Sequence, residues 1–188
     1  MQPKKILVVT ISTLVMCVAL GSIASRFFPK YVSNRHVSET MGRTFAIEIS
    51  KYLGSGSICL VILERPGRTQ NDTFLEALKE TPIRLETVEK ILPDEMGFYG
   101  RGPFSKEAYL QILNAHPNVT AVVSLIGPPN DLDQIPLQPD RPKLIVFSPR
   151  TAQIEDLIRA HLLQMALVPK NPMGTEYEVL TEDSLRDK

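Results

Sequence analysis

Neither sign of charge dominates this sequence. Lysine and arginine together number 21, and so do aspartate and glutamate, so the formal net charge at pH 7 is zero. A protein that follows nucleic acid along its phosphates needs a basic surface, which such a balance does not supply. We therefore expect no nucleic-acid partner.

Residues that hold metals or form disulfides are also scarce. Cys17 lies in an apolar run at the N-terminus and Cys59 in an apolar strand pattern, so the two are not placed to pair. We interpret Cys59 as a small buried core residue, with a reactive thiol as the alternative. The histidines stand singly and lack an HExxH or CxxC companion, so we predict no metal site and no cofactor: His36, His116 and His161.

Motifs of catalysis are missing as well. No GxSxG elbow follows a predicted strand. The stretch GFYGRGPFS, residues 97–105, lacks both the lysine of a phosphate loop and the GxGxxG spacing. Its aromatic residues Phe98, Tyr99 and Phe104 are expected either to pack down or to contact a protein partner. The sequence thus favours a protein that is not an enzyme.

Residues 6–24 are the strongest functional signal, because they carry no charge and are long enough to cross about 30 Å of hydrocarbon as a helix. A cleaved signal peptide is the competing interpretation, with cleavage after Ala24. The aromatic residues Phe27, Phe28 and Tyr31 would lie at the bilayer interface and favour a retained anchor in contact with lipid.

The short basic head before this run is typical of a segment that stays in the cytoplasm, which places the folded domain on the extracytoplasmic, periplasmic side of a single-pass membrane protein. The predicted organisation is an anchor and interface segment over residues 1–30, an α/β domain over 31–168 and a tail over 169–188.

Apolar patterning beyond the anchor alternates between helical and strand periods. Such alternation predicts a single three-layer, Rossmann-like α/β domain with a mostly parallel sheet. Helices are predicted from Val37 to a stop at Gly54 and over 71–80, 105–116 and 151–167. Strands are predicted over 57–63, 82–91, 119–126 and 143–147, with a short strand at YEVL in the tail.

Several of these stretches resemble one family. Arg68 followed by FLEAL at 74–78, the HPNVTAVV run at 116–123 and KLIVFSP resemble the C-terminal lobe of type I periplasmic sugar-binding proteins and lactose-repressor-type regulators. The likeness covers roughly residues 37–150. It implies that lobe's fold and a ligand held between two lobes, the second supplied here by another copy or a partner. One departure is residues 127–142, where five prolines replace a helix of the family.

Ligands of open parallel sheets bind outside the carboxyl ends of the strands. Three predicted loops meet at this edge, and helix N-terminal amides beside their arginines could help to hold a carboxylate or phosphate. Solvated surface arginines are the alternative, and the Gly-Pro-Pro of residues 127–129 can end a strand without any ligand. The candidate ligand-binding residues are Arg65, Arg68, Asn130, Asp131 and Arg150.

Taken together, these features predict a membrane-anchored, extracytoplasmic domain that acts by binding, as an accessory or scaffold subunit of a membrane-associated protein assembly. The alternative is a small-ligand sensor or solute-binding component, as the family likeness implies.

Overall fold

The computed structural model describes residues 35–64, 69–93, 104–136, 140–148, 151–171 and 175–186. The chain divides into two compact units, Met1–Val37 and Ser38–Lys188, and the second contains the α/β domain. The predicted anchor at residues 6–24 lies outside the described residues. Within the described ranges, no helix has the length and apolarity needed to cross a membrane.

A six-stranded sheet forms the centre of the domain, in the order β2-β1-β3-β4-β5-β6. The first five strands of this order are parallel, and β6 pairs antiparallel with β5. This confirms the mostly parallel α/β class. The strands are β1 (Gly56–Leu63), β2 (Ile83–Ile91), β3 (Ala121–Ser124), β4 (Lys143–Phe147), β5 (Met165–Pro169) and β6 (Tyr177–Leu180).

Helices cover both faces of the sheet and complete three layers. Because side chains alternate along a strand, β1 sends Ile58 and Leu60 to one face and Cys59 and Val61 to the other. The first face packs against α1 (residues 35–53) and α2 (Thr69–Leu78). The second packs against α3 (Lys106–Ala115), a short 3₁₀ helix (Leu132–Gln134) and α4 (Ala152–Arg159). A last short helix, α5 (Glu182–Arg186), follows β6.

Helix ends follow the local signals of the sequence. α1 ends at Gly54, whose φ of 72° suits a residue without a β-carbon. Ser105 caps α3 by accepting a hydrogen bond from the Ala108 amide across 3.1 Å. Both ends were predicted from the sequence.

The long helix predicted over 151–167 is wrong. α4 ends at Arg159, the chain turns through His161 at a φ of 57°, and Met165 begins β5. Every residue from Met165 to Val168 is buried, since β5 is covered on both faces. A short run that is apolar throughout does not distinguish a buried strand from a buried helix.

The C-terminal segment is part of the sheet. The predicted domain boundary at residue 168 falls inside β5, and β6 coincides with the YEVL stretch. Leu180 is fully buried opposite Ala166. The sheet therefore extends through residues that the sequence suggested were a tail.

Candidate functional site

The carboxyl ends of β1, β3 and β4 are neighbours at one edge of the sheet, because these strands are adjacent and parallel. The strand order also reverses here. From β1 the chain passes to β2 on one side, and later returns to place β3 on the other side. In open α/β sheets this reversal is the usual position of a ligand site.

Most of the predicted ligand-binding residues lie outside the described residues, namely Arg65, Arg68 and Arg150. Asn130 and Asp131 are described, and both are exposed in the loop after β3. The backbone N–H of Asn130 donates a hydrogen bond to the carbonyl oxygen of Phe104 across 2.8 Å. Asp131 has a left-handed φ of 48°. The assignment of all five to a ligand stays a prediction.

The turn that leads to Asn130 satisfies its own polar groups. The buried hydroxyl of Ser124 donates to the carbonyl oxygen of Gly127 and accepts from the amide of Ile126. Gly127 has a φ of 93°, which a residue with a side chain adopts only under strain. The hydrogen bonds of Ser124 and the conformation of Gly127 are thus enough to explain why the Gly-Pro-Pro segment follows β3.

Phe104 belongs to the core. Its side chain has no exposed surface, and its ring meets that of Tyr109 edge-on at 6.3 Å between centroids. Of the two roles expected for Phe104, packing or partner contact, the structure shows the packed one. Phe98 and Tyr99 lie outside the described residues, and their contact with a partner stays a prediction.

Sequence reasoning missed a buried polar residue at the same edge. Asn71 lies one turn before Phe74 on α2, on the helix face that packs against the sheet, and is only 8% exposed. Its Oδ1 atom is buried and has no hydrogen-bond partner. The helical spacing of the sequence could have revealed that Asn71 is buried, because Asn71, Phe74 and Leu78 follow the period of one helix face.

The preceding residue has the complementary unpaired group. Gln70 Nε2, a donor, is buried without a partner, while Asn71 Oδ1 is an acceptor. Successive residues of a helix point in different directions, so the two amides do not satisfy one another. A buried polar atom without a partner costs about 1–3 kcal/mol. A hydroxyl group both donates and accepts, so bound hydroxyls would satisfy either amide.

The first turn of α2 offers backbone hydrogen-bond donors at this edge. α2 follows the carboxyl end of β1 and directs its first amides toward this edge, where they attract negative charge or acceptor oxygens. Over the described ranges, no group of three or more histidine, cysteine, aspartate or glutamate side chains is arranged to hold a metal ion.

The chain matches no family model and no curated protein sequence. Among solved structures it is similar to an ABC transporter solute-binding protein from Burkholderia graminis in complex with D-arabinose, at 16% identity and a TM-score of 0.58. The match covers 80% of this chain and 62% of that protein.

Two further solved structures show the same likeness. AraP, an arabinose-binding protein from Geobacillus stearothermophilus, has 14% identity and a TM-score of 0.55 over 80% of this chain and 62% of its own. A chain of the XylFII–LytSN complex has 17% identity and a TM-score of 0.59, and the match covers 78% of this chain and 60% of that one. The chain thus spans about three fifths of the length of these proteins. Its fold resembles that of periplasmic sugar-binding proteins, which confirms the resemblance drawn from the sequence.

Proposed function

We propose that this chain is a solute-binding domain without catalytic activity, anchored by residues 6–24 on the extracytoplasmic side of a membrane. Its ligand is a small polyhydroxylated solute of the monosaccharide class, received at the carboxyl edge of the sheet. The single observation that carries this proposal is the unpaired Oδ1 of Asn71, 8% exposed, on the sheet-facing side of the first turn of α2.

Three arguments support a hydroxylated solute. Gln70 and Asn71 offer one buried donor and one buried acceptor, and hydroxyl groups match both. The edge is the one where open α/β sheets bind ligands. Structures with a similar fold hold D-arabinose, D-allose and α-D-tagatopyranose. Arg65, Arg68, Asn130, Asp131 and Arg150 are proposed to surround the solute.

The extracytoplasmic location is supported by the apolar run at residues 6–24 and by the fold. Solute-binding proteins of ABC transporters are among the similar structures, and one is described as periplasmic. A soluble ligand reaches such a domain directly. The anchor would keep the domain at the membrane surface.

Thermal unfolding of the full chain in detergent tests this function, with D-arabinose, D-allose and D-tagatose as probes. A ligand at a hundredfold excess over its Kd stabilises by about 2.7 kcal/mol. For a chain of this size, that stabilisation raises Tm by about 5–10 °C. The function is contradicted if no monosaccharide of a broad panel changes Tm while the protein unfolds cooperatively.

A second candidate is an accessory or scaffold subunit of a membrane-associated assembly. One observation favours this candidate: a similar fold occurs in a protein complex, that of XylFII with LytSN. On this hypothesis the aromatic residues Phe98 and Tyr99 contact the partner, while membrane lipid surrounds residues 6–24.

Two sets of variants separate the candidates. Joint replacement of Arg65, Arg68 and Arg150 by alanine should weaken solute binding and leave partner association intact. Phe98→Asp should weaken association and leave solute binding intact. Tm shifts report the first property, and mass spectrometry of the tagged chain extracted in mild detergent reports the second. The scaffold candidate is wrong if Phe98→Asp and Tyr99→Asp retain every stoichiometric companion.

A further inference from the structure

A second cleft lies at the opposite edge of the sheet from the proposed solute site. Its volume is about 220 Å³, and it opens between α3 and the segment that enters β4. Leu110 and Leu113 of α3, together with Ile135, supply apolar walls. Arg141 and Pro142 lie directly before the first residue of β4, which places the cleft at the amino edge.

One acidic and one basic side chain, from the consecutive residues Asp140 and Arg141, line this cleft together. Asp140 is exposed, and among the described residues its carboxylate has neither an ion pair nor a hydrogen bond. The guanidinium of Arg141 is held in place, because Nη2 donates to the carbonyl oxygens of Leu162 and His161 across 2.9 and 3.3 Å. Its Nη1 atom has no hydrogen-bond partner. The cleft thus presents a negative and a positive group that are not paired with one another.

The C-terminal end of α3 adds negative potential to the same cleft. Leu113 and Asn114 lie in the last turn of this helix and line the cleft. Carbonyl oxygens at the end of a helix carry partial negative charge and favour a cation beside them. The last turn of α3 has no basic residue to supply that cation. The exposed amide of Asn114 can both donate and accept hydrogen bonds.

We infer that this cleft binds a zwitterionic α-amino acid with a compact aliphatic side chain, of the size of leucine. Its ammonium group lies against Asp140 and the end of α3, and its carboxylate pairs with the guanidinium of Arg141. Its aliphatic body lies against Leu110, Leu113 and Ile135. The site is independent of the proposed function, since it uses other residues at the other edge.

Charge and polarity narrow the ligand class. A simple carboxylate would place its negative charge near Asp140 without an ammonium group to offset the repulsion, and a simple amine would do the converse near Arg141. A sugar would leave hydroxyl groups against the apolar walls without partners. Only a ligand that carries both charges on a small apolar body satisfies both side chains and covers the walls.

The size of the cleft agrees with this class. A cavity of about 150 Å³ lined by apolar side chains holds a benzene molecule. The larger volume of about 220 Å³ leaves room for a four-carbon aliphatic group together with the two charged groups. The apolar walls then contribute burial of the aliphatic group to the affinity.

Saturation-transfer NMR of L-leucine with the full chain in detergent tests the inference, with empty micelles as the blank. Two analogues are the matched controls: 4-methylpentanoate lacks only the ammonium group, and 3-methylbutylamine lacks only the carboxylate. We expect a Kd of about 1 mM or tighter for leucine. Each analogue should bind at least about tenfold more weakly, because it loses one charge-assisted contact.

Three variants locate the two charges and the apolar wall. Asp140→Asn should weaken leucine binding and reduce its preference over 4-methylpentanoate, whereas Arg141→Gln should reduce its preference over 3-methylbutylamine. Leu113→Trp fills the cleft and should abolish binding. Asp156→Asn is the control, since this exposed carboxylate on α4 pairs only with Arg159 across 3.2 Å, and it should leave leucine binding unchanged. Circular dichroism confirms that each variant folds.

Absence of leucine binding at about 10 mM overturns the inference, as does equally tight binding of either analogue. Because Arg141 also holds two carbonyls, its variant can lose structure, and Asp140→Asn and Leu113→Trp then decide. Unchanged leucine binding in either of these two variants overturns the inference too.

Discussion

The hydroxyl of Ser124 donates a hydrogen bond to the carbonyl oxygen of Gly127 across 2.6 Å, and this contact closes the turn at the end of β3. The same hydroxyl oxygen accepts from the amide of Ile126 across 3.3 Å. One buried side chain therefore satisfies two backbone groups where a parallel strand ends. The turn positions the exposed residues Asn130 and Asp131 at the carboxyl edge and needs no ligand to do so.

We predict that Ser124→Ala lowers the free energy of unfolding by about 1–3 kcal/mol, because it leaves buried backbone groups without partners. Urea unfolding of the full chain in detergent measures the change. Ser55→Ala, at an exposed position beyond α1, is the control and should stay within about 0.5 kcal/mol. Equal stability of the two variants would show that water replaces the Ser124 hydroxyl.

Gly42 permits the close approach of α1 and α2. A β-carbon at this position would lie 2.5 Å from the Gln70 carbonyl oxygen and 2.9 Å from the Phe74 amide nitrogen. We predict that Gly42→Ala destabilises the domain by about 1–3 kcal/mol, since the clash outweighs the gain in helix propensity. Thermal and urea unfolding measure this change.

The control for Gly42 is Ile47→Ala on the same helix, where the side chain is 41% exposed. This change should alter stability by only about 0.5 kcal/mol. A Gly42→Ala protein as stable as wild type would mean that α1 moves away from α2 without loss.

Cys59 is predicted to be unreactive in the folded protein. Burial, and secondarily the negative charge of Glu89, raises the pKa of the Cys59 thiol from 9.0 to about 12. Only the thiolate reacts with iodoacetamide. Peptide mapping should show alkylation of Cys59 at pH 8 at least about a hundredfold slower in the native chain than in urea. Rapid alkylation of Cys59 in the native chain would contradict this prediction and show that its thiol is reactive.

The same shift predicts an alkaline loss of stability. Because the pKa of the Cys59 thiol is higher in the folded than in the unfolded chain, deprotonation of this thiol favours unfolding. The contribution of Cys59 to the free energy of unfolding is fully present below pH 9.0 and is lost as the pH rises toward about 12. The burial of Tyr109, with its pKa raised from 10.0 to about 12, acts in the same direction. The urea midpoint should therefore fall between pH 8 and pH 11, whereas a constant midpoint would contradict this linkage.

Local signals were enough to predict most of the fold. Gly54 marks the end of α1, Ser105 marks the start of α3, and the apolar run of β4 was located at its exact residues, Lys143–Phe147. These signals depend on groups close in sequence. β5 was missed because its apolar run follows α4 with only a short turn, and burial on both faces removes the alternation that identifies a strand.

The candidate site was less predictable for a different reason. Strand order brings together loops that are far apart in sequence, and the fold class alone predicted that the loops after β1, β3 and β4 meet at one edge. Whether a polar atom has a partner depends on three-dimensional packing, which periodicity does not report. Asn71 was for that reason overlooked, and the sequence left open whether Phe104 packs down or contacts a partner, whereas in the structure its ring is buried.

Binding and stability of Asn71→Leu, measured side by side, test the central claim most directly. Leucine has a similar volume and removes the unpaired amide, so we predict unchanged or raised stability, by up to about 1–3 kcal/mol. We also predict loss of the Tm shift that the proposed binding of a monosaccharide would produce. Asp72→Asn, at an exposed position in the same helical turn, should keep both properties. A variant that is equally stable and still shows the full monosaccharide-dependent shift would contradict a solute site at Asn71.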